Sequence, residues 1–412
     1  MPHTSRSASP LALLLAVVLL ALAAGCGEDT ESPTAPESRP ALATAAQPLS
    51  FRQVSAGGGH ACGVTTDDRA YCWGLNEWGE LGDGDTDPWN GEICNTYPCS
   101  SRPVAVAGVL RFNHVSAGDR HTCGITTDNK AYCWGRNFEG QLGTGAPSSS
   151  SVVPVAVAGT RLFRQVRAAD NHTCAITKAD VAFCWGYNGD GELGDGTTDS
   201  HPVPVRVAGG LHWSLVSGGF SHTCGVTTDN HAYCWGTSSL GALGSVGAVR
   251  RLSPFPVSGG LLFSKIDAGH WHSCGVTTDN RAYCWGLNSV GELGDGTKTN
   301  RQTPTLVFGN RRYDHVIAGD SYTCGVTLAE RGFCWGVNSI GQLGTGTTDW
   351  RRVPTAVAGG LSLHLVTAGA GFACGVTTAN RAYCWGDDAF GQGGDGTTNS
   401  GHLAPVAVAG PI

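Results

Sequence analysis

Cysteines at a fixed spacing carry the most distinctive chemistry in this sequence. The chain has 17 cysteines, and most of them form pairs in which nine residues separate the two thiols. Paired thiols either bind zinc or oxidise to disulfides, and a zinc site would need a second ligand pair at metal-binding spacing, which these segments lack. We therefore predict disulfides, which are typical of exported proteins. The pairs are Cys62/Cys72, Cys123/Cys133, Cys174/Cys184, Cys224/Cys234, Cys274/Cys284, Cys324/Cys334 and Cys374/Cys384.

Other residue types that bind metals recur in patterns that favour structural roles. A histidine occupies one equivalent position in five repeats (His60, His121, His172, His222 and His272). Ligands placed one per repeat would lie too far apart for bonds of about 2 Å each, so we interpret them as a repeated hydrogen bond. Asp83, Asp85 and Asp87 resemble the start of a calcium loop, but Pro88 and Cys94 occupy the positions that need Gly and Glu, which favours a solvated turn.

The carboxylates also follow the repeat, and no clustered acid–base pair or nucleophile motif departs from it. Glu80, Glu192 and Glu292 share one repeat position, as structural residues would. We therefore predict no catalytic residue, no cofactor site and no metal site. A propeller hydrolase or lyase that gathers residues from several repeats is the alternative.

The elements that carry these residues are short strands in seven copies of one unit of about 50 residues. The apolar segments are β-branched or aromatic, and Gly, Asn and Asp separate them. Within Cys62–Cys72 we predict a hairpin in which Cys62 faces Cys72, Tyr71 covers Gly63, and Asp68 adopts a positive φ. The pattern predicts an all-β fold, a seven-bladed β-propeller with four-stranded antiparallel blades and one hairpin disulfide per blade. We expect the segment Pro405–Ala409 to close the ring by pairing near Phe51.

The motifs A-G-x-x-H-T, W-G-x-N-x-x-G-x-L-G and P-V-x-V resemble the regulator of chromosome condensation repeat family over about residues 49–410. The resemblance implies a seven-bladed propeller with diverse partners. Nuclear members of that family exchange guanine nucleotide on a small GTPase and contact chromatin. A secreted bacterial member, beta-lactamase inhibitor protein II, binds an enzyme with its propeller. The sequence departs from the repeat at Ser238, Asp388, Gly393, Tyr322 and Phe372, and its export signal argues against nucleotide exchange.

Sequence variation locates a candidate binding face. The A-G-x-x-H loops and the long W-G-x-N loops must share one rim, because the hairpin turns and the A-G-G-L links lie on the other. Variable loops on a rigid scaffold are where binding residues usually lie. The candidate binding residues on this rim are Trp78, Trp89, Tyr97, Arg120, Phe220, Trp271 and Phe390. We expect Arg120 and Trp271 to be exposed, whereas the aliphatic residues Leu240 and Ile340 are equally consistent with packing between blades.

One insertion interrupts the repeat, near residues 85–102 of the first unit. Cys94 and Cys99 lie inside it, and we predict that they close a small disulfide loop. Such a loop would present Trp89 and Tyr97 in a preorganised form, which favours binding. The alternative is a surface loop without a partner, because insertions of this kind cost little stability.

The N-terminus predicts export. Leu11–Ala24 is apolar but too short to span a bilayer, so residues 1–25 are interpreted as a signal peptide. The segment Leu22–Cys26 resembles a bacterial lipobox, in which Cys26 is lipidated, and Gly27 after it favours the outer membrane or cell surface. Residues 26–48 carry four prolines and few large apolar residues, so we predict a disordered tether before a propeller at 49–412.

The charge of the chain excludes one class of partner. Without residues 1–25 the chain has 25 basic and 33 acidic residues, a net charge of −8. Nucleic acid binding depends on clustered Lys and Arg, so we expect no nucleic acid partner. The sequence therefore predicts a binding scaffold on the cell envelope, with a protein or a glycan as its ligand and a lipid anchor as its membrane contact.

The lipobox generates a direct prediction. Cys26→Ser removes the thiol that a lipid would modify, so this variant is expected to appear in the soluble fraction of lysed cells. The measurement is membrane fractionation with immunodetection, and a serine substitution at Cys94 is the control for cysteine loss in general. Equal membrane attachment of wild type and Cys26→Ser would contradict the prediction.

Overall fold

The structure is a computed structural model that describes residues 49–85, 92–146, 149–238 and 240–411. The predicted signal peptide, the tether, Cys26 and Trp89 lie outside the described residues, so their roles stay predictions. No described helix has both the length and the apolar character that crossing a bilayer requires.

The described residues form seven sheets, here called blades 1 to 7 in chain order. Blade 1 contains β1 (Phe51–Ala56), β2 (His60–Thr65), β3 (Ala70–Leu75), β4 (Glu92–Cys94) and β5 (Tyr97–Ala105). Blade 2 contains β6 (Phe112–Ala117), β7 (His121–Thr126), β8 (Ala131–Arg136) and β9 (Ser150–Ala156). Blade 3 contains β10 (Phe163–Ala168), β11 (His172–Thr177), β12 (Ala182–Gly186) and β13 (His201–Arg206). Blade 4 contains β14 (Trp213–Gly218), β15 (His222–Thr227), β16 (Ala232–Thr237) and β17 (Arg250–Pro256).

Blade 5 contains β18 (Phe263–Ala268), β19 (His272–Thr277), β20 (Ala282–Gly286) and β21 (Arg301–Leu306). Blade 6 contains β22 (Tyr313–Ala318), β23 (Tyr322–Thr327), β24 (Gly332–Gly336) and β25 (Arg351–Ala356). A short 3-10 helix (Ala358–Gly360) precedes blade 7, which contains β26 (Leu363–Ala368), β27 (Phe372–Thr377), β28 (Ala382–Asp388) and β29 (Asn399–Ala407). Each blade is antiparallel with its strands in chain order, and β4 is an extra outer strand on blade 1. The predicted seven-bladed propeller of four-stranded blades is confirmed.

The hairpin of each blade has the register that the sequence predicts. In blade 1, Cys62 faces Cys72 and Val64 faces Ala70, and Asp68 has a φ of 66°. Asn residues occupy the same position in most other blades, also with positive φ (Asn129, Asn230, Asn280 and Asn380). The residue that covers Gly63 is Phe51, whose ring would lie 2.6 Å from an added Cβ. The predicted cover, Tyr71, lies beside Gly63 on the next strand instead.

The predicted disulfides form. The hairpin pairs Cys62–Cys72, Cys123–Cys133, Cys174–Cys184, Cys224–Cys234, Cys274–Cys284, Cys324–Cys334 and Cys374–Cys384 have Cα atoms 4.0 to 4.1 Å apart. Cys94 and Cys99 are also bonded, and their Cα atoms are 5.9 Å apart. One disulfide staples the two central strands of every blade, so each hairpin is constrained before the blades pack together.

Each hydrophobic core lies between two adjacent blades. One blade contributes the face that carries its disulfide, and the next blade contributes the face that carries its tryptophan. The disulfide face of blade 1, with Cys62 and Val64, packs against Phe112 and Trp134 of blade 2. The same combination of a disulfide and a tryptophan from the next blade recurs around the ring. These tryptophans are at most 1% exposed. Because strand residues alternate between faces, one hairpin supplies half of two different cores.

A buried hydrogen bond accompanies each tryptophan. The indole nitrogen of Trp134 donates to the backbone oxygen of Glu80 in the preceding blade at 2.8 Å. The other six bonds are Trp73 to Gln392, Trp185 to Gln141, Trp235 to Glu192, Trp285 to Ala242, Trp335 to Glu292 and Trp385 to Gln342, at 2.8 to 3.1 Å. A buried N–H without an acceptor would cost about 1–3 kcal/mol, so these bonds hold adjacent blades in one relative position.

The repeated histidines make a second inter-blade hydrogen bond, and their structural interpretation is confirmed. His60 Nε2 lies 2.7 Å from the hydroxyl of Thr122 in the next blade, and that hydroxyl donates to Glu80 O at 2.9 Å. The imidazole is therefore the donor to Thr122. His121, His172, His222 and His272 make the same bond to Thr173, Thr223, Ser273 and Thr323 at 2.8 to 2.9 Å.

Burial keeps these imidazoles neutral. It lowers the pKa to about 3 for His60, His121, His172 and His272, and to about 4 for His222. The ordinary value is about 6.5. An unfolded chain would therefore bind protons below about pH 6.5 that the folded chain does not bind, and these five groups lower stability as the pH falls.

The ring closes by packing between blades 7 and 1, and the predicted closure was wrong. β29 pairs with β28 of its own blade. Blade 7 meets the start of β1 through single contacts: Phe51 N donates to Asn380 O at 2.9 Å, and His364 Nε2 lies 3.4 Å from Arg52 O. A swap of strands is unnecessary because each repeat completes its own sheet. At this seam Phe372 and Ala61 replace the histidine and the threonine, and both lie in the same apolar core. Blade 7 carries Ala373 at the threonine position, and Tyr322 of blade 6 donates to Phe372 O instead.

The His–Thr pair generates a double-mutant prediction. Thr173→Ala leaves the buried Nε2–H of His121 without its acceptor, and we expect it to destabilise the chain by about 1–3 kcal/mol. Adding His121→Phe recreates the Phe–Ala pair of the closing seam and is expected to recover much of that loss. The measurement is thermal denaturation at pH 7.5 and at pH 5, analysed as a cycle.

The pH dependence supplies the control. The double variant lacks one imidazole of depressed pKa, so its stability should decrease less than that of wild type between pH 7.5 and pH 5. The proposed pairing would be contradicted if the stability effects of Thr173→Ala and His121→Phe were additive and the stability of the double variant depended on pH as that of wild type does.

Candidate functional site

The rim that the sequence selects carries both loop types, as predicted. β2 begins at His60, opposite Gly74 near the end of β3, so the A-G-x-x-H loop and the W-G-x-N loop leave the sheet on one side. The hairpin turn and the link to the next blade meet on the other side, where Phe112 N donates to Asp68 O at 2.9 Å. We call the first side the variable rim and the second the opposite rim.

Seven equivalent loop residues surround the mouth of the central channel on the variable rim. This axial mouth consists of Gly58, Asp119, Asp170, Phe220, His270, Asp320 and Ala370, each two residues before the histidine position. The first strands of the blades line the channel below it. Because seven repeats point the same position at one axis, residues about 50 positions apart in sequence become neighbours.

The axial mouth is acidic. His270 Nδ1 lies 2.6 Å from Asp320 Oδ1, and His270 Nε2 lies 3.8 Å from Asp170 Oδ2. Burial, together with the nearby Asp119 and Asp320 carboxylates, raises the pKa of Asp170 to about 7. Burial opposes the charged form of His270, but the hydrogen bond that it donates to Asp320 and the charge of Asp170 raise its pKa above the ordinary value. Three carboxylates thus face one imidazole.

An aromatic stack borders the acidic mouth. The rings of His270 and Trp271 are stacked at 5.4 Å with an interplanar angle of 5°. Phe220 lies 4.4 Å from the His270 ring and 5.1 Å from the Trp271 ring, and it is 37% exposed. A cationic group at this mouth would meet carboxylates on one side and ring faces on the other, which are the two environments that favour it.

The structure places the predicted binding residues in three groups. Phe220 and Trp271 lie together at the mouth. Tyr97 and Phe390 contact each other at the seam of blades 7 and 1, where their ring centroids are 6.1 Å apart. Trp78 lies 5.1 Å from Phe138, between blades 1 and 2.

The expected exposure of Arg120 and Trp271 was wrong, because both are half-buried. Trp271 is covered by its stack with His270. Arg120 NH1 lies 2.5 Å from Glu77 Oε2 and is held in that ion pair. Leu240 and Ile340 are also half-buried. Their burial lies between the two alternatives for them, exposure on the variable rim and packing between blades.

The repeated glutamates have the structural role that the sequence predicts. Glu80 Oε2 accepts from the backbone nitrogen of Trp78 at 2.7 Å, and burial raises the pKa of Glu80 to about 8. In blade 2, Gln141 Oε1 accepts the equivalent bond from Glu139 N at 3.0 Å. A neutral side chain therefore serves at this repeat position as well as a carboxylate does. Near the calcium-like stretch, the amide of Asn76 donates to Asp83 Oδ1 and to Asp85 O, as in a closed turn.

Four residues of the site escaped sequence reasoning. Asp119, Asp170, His270 and Asp320 occupy the same loop position as Phe220, which was selected as a bulky residue on the variable rim. The signal was the variation at that one repeat position, from Gly58 to Ala370. Only the ring geometry shows that these side chains converge.

Proteins of known function are similar to this chain in sequence. The ultraviolet-B receptor UVR8 of Arabidopsis thaliana is 28% identical over 155 residues, which are 37% of this chain and 33% of the receptor. The human E3 ubiquitin-protein ligase HERC2 is 31% identical over 146 residues, 34% of this chain and 3% of the ligase. The matched part therefore spans a third or less of these relatives.

Solved structures share the fold. Human WBSCR16 has a TM-score of 0.70 at 20% identity, covering 80% of this chain and 88% of that one. Yeast RCC1 (Prp20), solved in complex with Kap60, has a TM-score of 0.70 at 17% identity, covering 92% of this chain and 91% of that one. At these identities the likeness shows the fold alone.

Family models match nearly the whole propeller. The model of the Regulator of chromosome condensation (RCC1) repeat matches residues 51–79. The model of the RCC1-like domain matches residues 90–411. With seven repeats that form one ring of blades, this chain belongs to the RCC1-like domain family.

Proposed function

We propose that this chain is a binding module anchored to the cell envelope, which binds a protein partner through the axial mouth and its aromatic border. The partner presents a lysine or arginine side chain to the carboxylates of the mouth. The single observation that carries this proposal is the convergence of Asp119, Asp170 and Asp320 beside Phe220 at the channel entrance.

The electrostatics support a cationic ligand. Burial raises the pKa values of both Asp119 and Asp170 although Asp119 lies 3.7 Å from Arg120 Nε, so the neighbouring cations of the chain compensate their ionised forms only in part. A bound cation would supply the missing charge, and it would be partly shielded from water, where a charge-assisted hydrogen bond is strong. The exposed Phe220 and the half-buried Trp271 would contact the aliphatic part of such a side chain.

The surroundings of the mouth extend the surface to the size of a protein epitope. Trp78 and Phe138 form an edge-to-face pair, and the guanidinium of Arg136 lies 5.2 Å from the Phe138 ring. Aromatic and arginine residues dominate binding energy at protein interfaces. A glycan ligand, which also stacks on aromatic rings, is an outcome that the partner search can distinguish.

The geometry of His270 favours binding over catalysis. A general base needs a free nitrogen lone pair directed at the substrate. In His270 both ring nitrogens face carboxylates, and Trp271 covers one ring face. An imidazole held in this way is part of the charge pattern of the mouth. The hydrolase or lyase alternative predicts turnover by the purified chain that is lost in His270→Gln.

The activities of relatives are not transferred to this chain. Prp20p of Saccharomyces cerevisiae, a solved relative that is 18% identical to this chain, binds Gsp1p and histones. The acidic net charge of this chain argues against contact with nucleic acid. Its envelope location rests on the lipobox-like Leu22–Cys26, which would separate it from an intracellular GTPase.

The proposal generates a binding experiment. The wild-type chain is used to capture partners from envelope and secreted extracts, and the captured partner is then purified and titrated. Phe220→Ala combined with Trp271→Ala is expected to weaken its affinity about 30-fold or more, because truncating interface anchors typically costs about 2 kcal/mol or more. The replacement of Asp119, Asp170 and Asp320 by asparagine should reduce both the affinity and its salt dependence.

The opposite rim provides the matched control. Phe308 and Leu328 are 60% and 56% exposed and lie on that rim, so Phe308→Ala with Leu328→Ala removes exposed apolar surface away from the mouth. This control should keep wild-type affinity. A partner that loses affinity with the control variant and keeps it with the mouth variants would refute the proposed site.

Binding should also depend on pH. Asp170, with a pKa of about 7, is partly protonated at neutral pH in the free chain. A bound cation favours its ionised form, so binding releases protons and affinity rises as the pH increases from 6 to 8. Titrations of the same partner at these pH values test this, with Asp170→Asn as the variant expected to show a smaller rise.

A further inference from the structure

Blade 7 departs from the repeat at two positions, Asp388 and Gly393, which lie beside a histidine and a second aspartate. Asp388 replaces the asparagine found in five blades, and Gly393 replaces the leucine found in the other six. His402 on β29 faces Gly386 of β28, and the third residue of the group is Asp395, seven positions after Asp388. The side chains of Asp388, Asp395 and His402 have ligand atoms within 4.8 Å of one another.

The asparagine normally acts as a hydrogen-bond donor to a ring of oxygens. In blade 3 the side-chain nitrogen of Asn188 donates to Asp195 Oδ1 at 3.3 Å and to two backbone oxygens, Thr197 O at 3.2 Å and Asp199 O at 3.0 Å. Blade 5 repeats this arrangement with Asn288 and Asp295 at 3.1 Å. The loop thus forms a set of acceptors around one amide group.

In blade 7 that amide donor becomes a carboxylate oxygen. Asp388 Oδ1 keeps the ordinary role of the side chain and accepts from Gly393 N at 2.8 Å. Asp388 Oδ2, however, has no hydrogen to donate, and it faces a second carboxylate, Asp395. Asp388 is fully buried. A fully buried carboxylate beside a second, partly buried one needs a cation close to it, because burying an uncompensated charge is strongly unfavourable.

The second departure, Gly393, makes room for a nitrogen ligand. His402 Nε2 lies 3.2 Å from Asp388 Oδ2 and 3.3 Å from Asp395 Oδ2. A Cβ at Gly393 would lie 2.8 Å from Asp388 Oδ1 and 3.1 Å from His402 Nε2, so a leucine could not occupy this position. The glycine and the histidine are therefore two parts of one local arrangement.

The spacing of these atoms fits a coordinated metal. Zinc bonds to histidine nitrogen and carboxylate oxygen are about 2.0–2.2 Å, and tetrahedral ligands of that bond length are about 3.4 Å apart. The two observed nitrogen-to-oxygen separations are close to that value. A single Nε2–H shared between the two carboxylates makes a weaker bond to each of them, so a proton satisfies this group less well than a metal does.

The charge differs from that of the related blade. In blade 5, Arg301 pairs with Asp295 at 2.9 Å, and Asn288 is neutral, so the charges balance. In blade 7 two carboxylates face one imidazole. We propose that Asp388, Asp395 and His402 bind a divalent transition metal of the zinc class, with water completing the coordination. This proposal revises the sequence-based expectation that the chain has no metal site.

The location gives the metal a structural role at the closing seam. The same loop of blade 7 accepts the indole bond of Trp73 at Gln392 O, and Gly396 N donates to Ser101 O at 2.9 Å. The insertion hairpin of blade 1 also reaches this loop, because Asn95 donates to Ala389 O at 3.3 Å. A metal bound here would fix the loop that joins the last blade to the first.

Zinc binding to the purified chain tests the proposal. The chain is prepared without a histidine affinity tag and without reductant, so that its cysteines stay in disulfides, and it is stripped of metal. Calorimetric titration with Zn²⁺ and elemental analysis after gel filtration are expected to show one tight site per chain. Zn²⁺ is also expected to raise its melting temperature, because a ligand that binds the folded state stabilises it.

Two variants that copy the residues of other blades keep the fold and remove the ligands. Asp388→Asn restores the residue of five blades, and Asp388→Asn with His402→Arg recreates the balanced set of blade 5. Both are expected to bind Zn²⁺ at least 100-fold more weakly and to lose the rise in melting temperature.

A pair in another blade is the matched control. His201 lies 3.1 Å from Asp195 in blade 3 but lacks the second carboxylate, so His201→Arg should leave Zn²⁺ affinity unchanged. The proposal is overturned if wild type binds no more Zn²⁺ than the double variant, or if His201→Arg weakens binding as much as Asp388→Asn does.

Discussion

The hydrogen bond from a buried indole to a carbonyl of the preceding blade is the contact on which the rest of this structure depends. It occurs at all seven seams, beside a disulfide on one side and an aromatic core on the other. An indole N–H in an apolar core needs an acceptor, and the loop that supplies the carbonyl must therefore adopt one conformation. Glycines such as Gly82, with a φ of 66°, allow that loop to pass against the ring of Trp134.

The rigidity of the seams explains where function can lie. Residues that face the cores are repeated in nearly every blade, because a change would disturb two blades at once. The loop positions on the axis make no such contacts and are free to vary. Seven variable positions at one mouth form a surface whose charge and shape differ from blade to blade, and here they give an acidic entrance bordered by Phe220 and Trp271.

The closing seam shows how the chain ends a repeat. A polar His–Thr bond at one seam needs residues from two units, so the first and last units change together: Ala61 of blade 1 meets Phe372 of blade 7. The long insertion of the first unit, through its hairpin of β4 and β5, contacts the same seam. The sequence departures at Phe372, Asp388 and Gly393 therefore belong to one region, although they look unrelated along the chain.

The sequence by itself determined the strands, the hairpin register, the disulfides and the number of blades. These features depend on local rules: alternation along a strand, the preference of Asn or Asp for positive φ, and the spacing of Cys62 and Cys72. Tertiary structure decided which residue covers Gly63, how blade 7 meets blade 1, and which loop residues converge on the axis. The last two depend on the relative positions of whole blades, whereas Gly63 is covered by Phe51 through the pairing of β1 with β2 in its own blade. Asp170 and His270 are 100 residues apart in the chain, and only the closed ring brings their side chains within 4 Å.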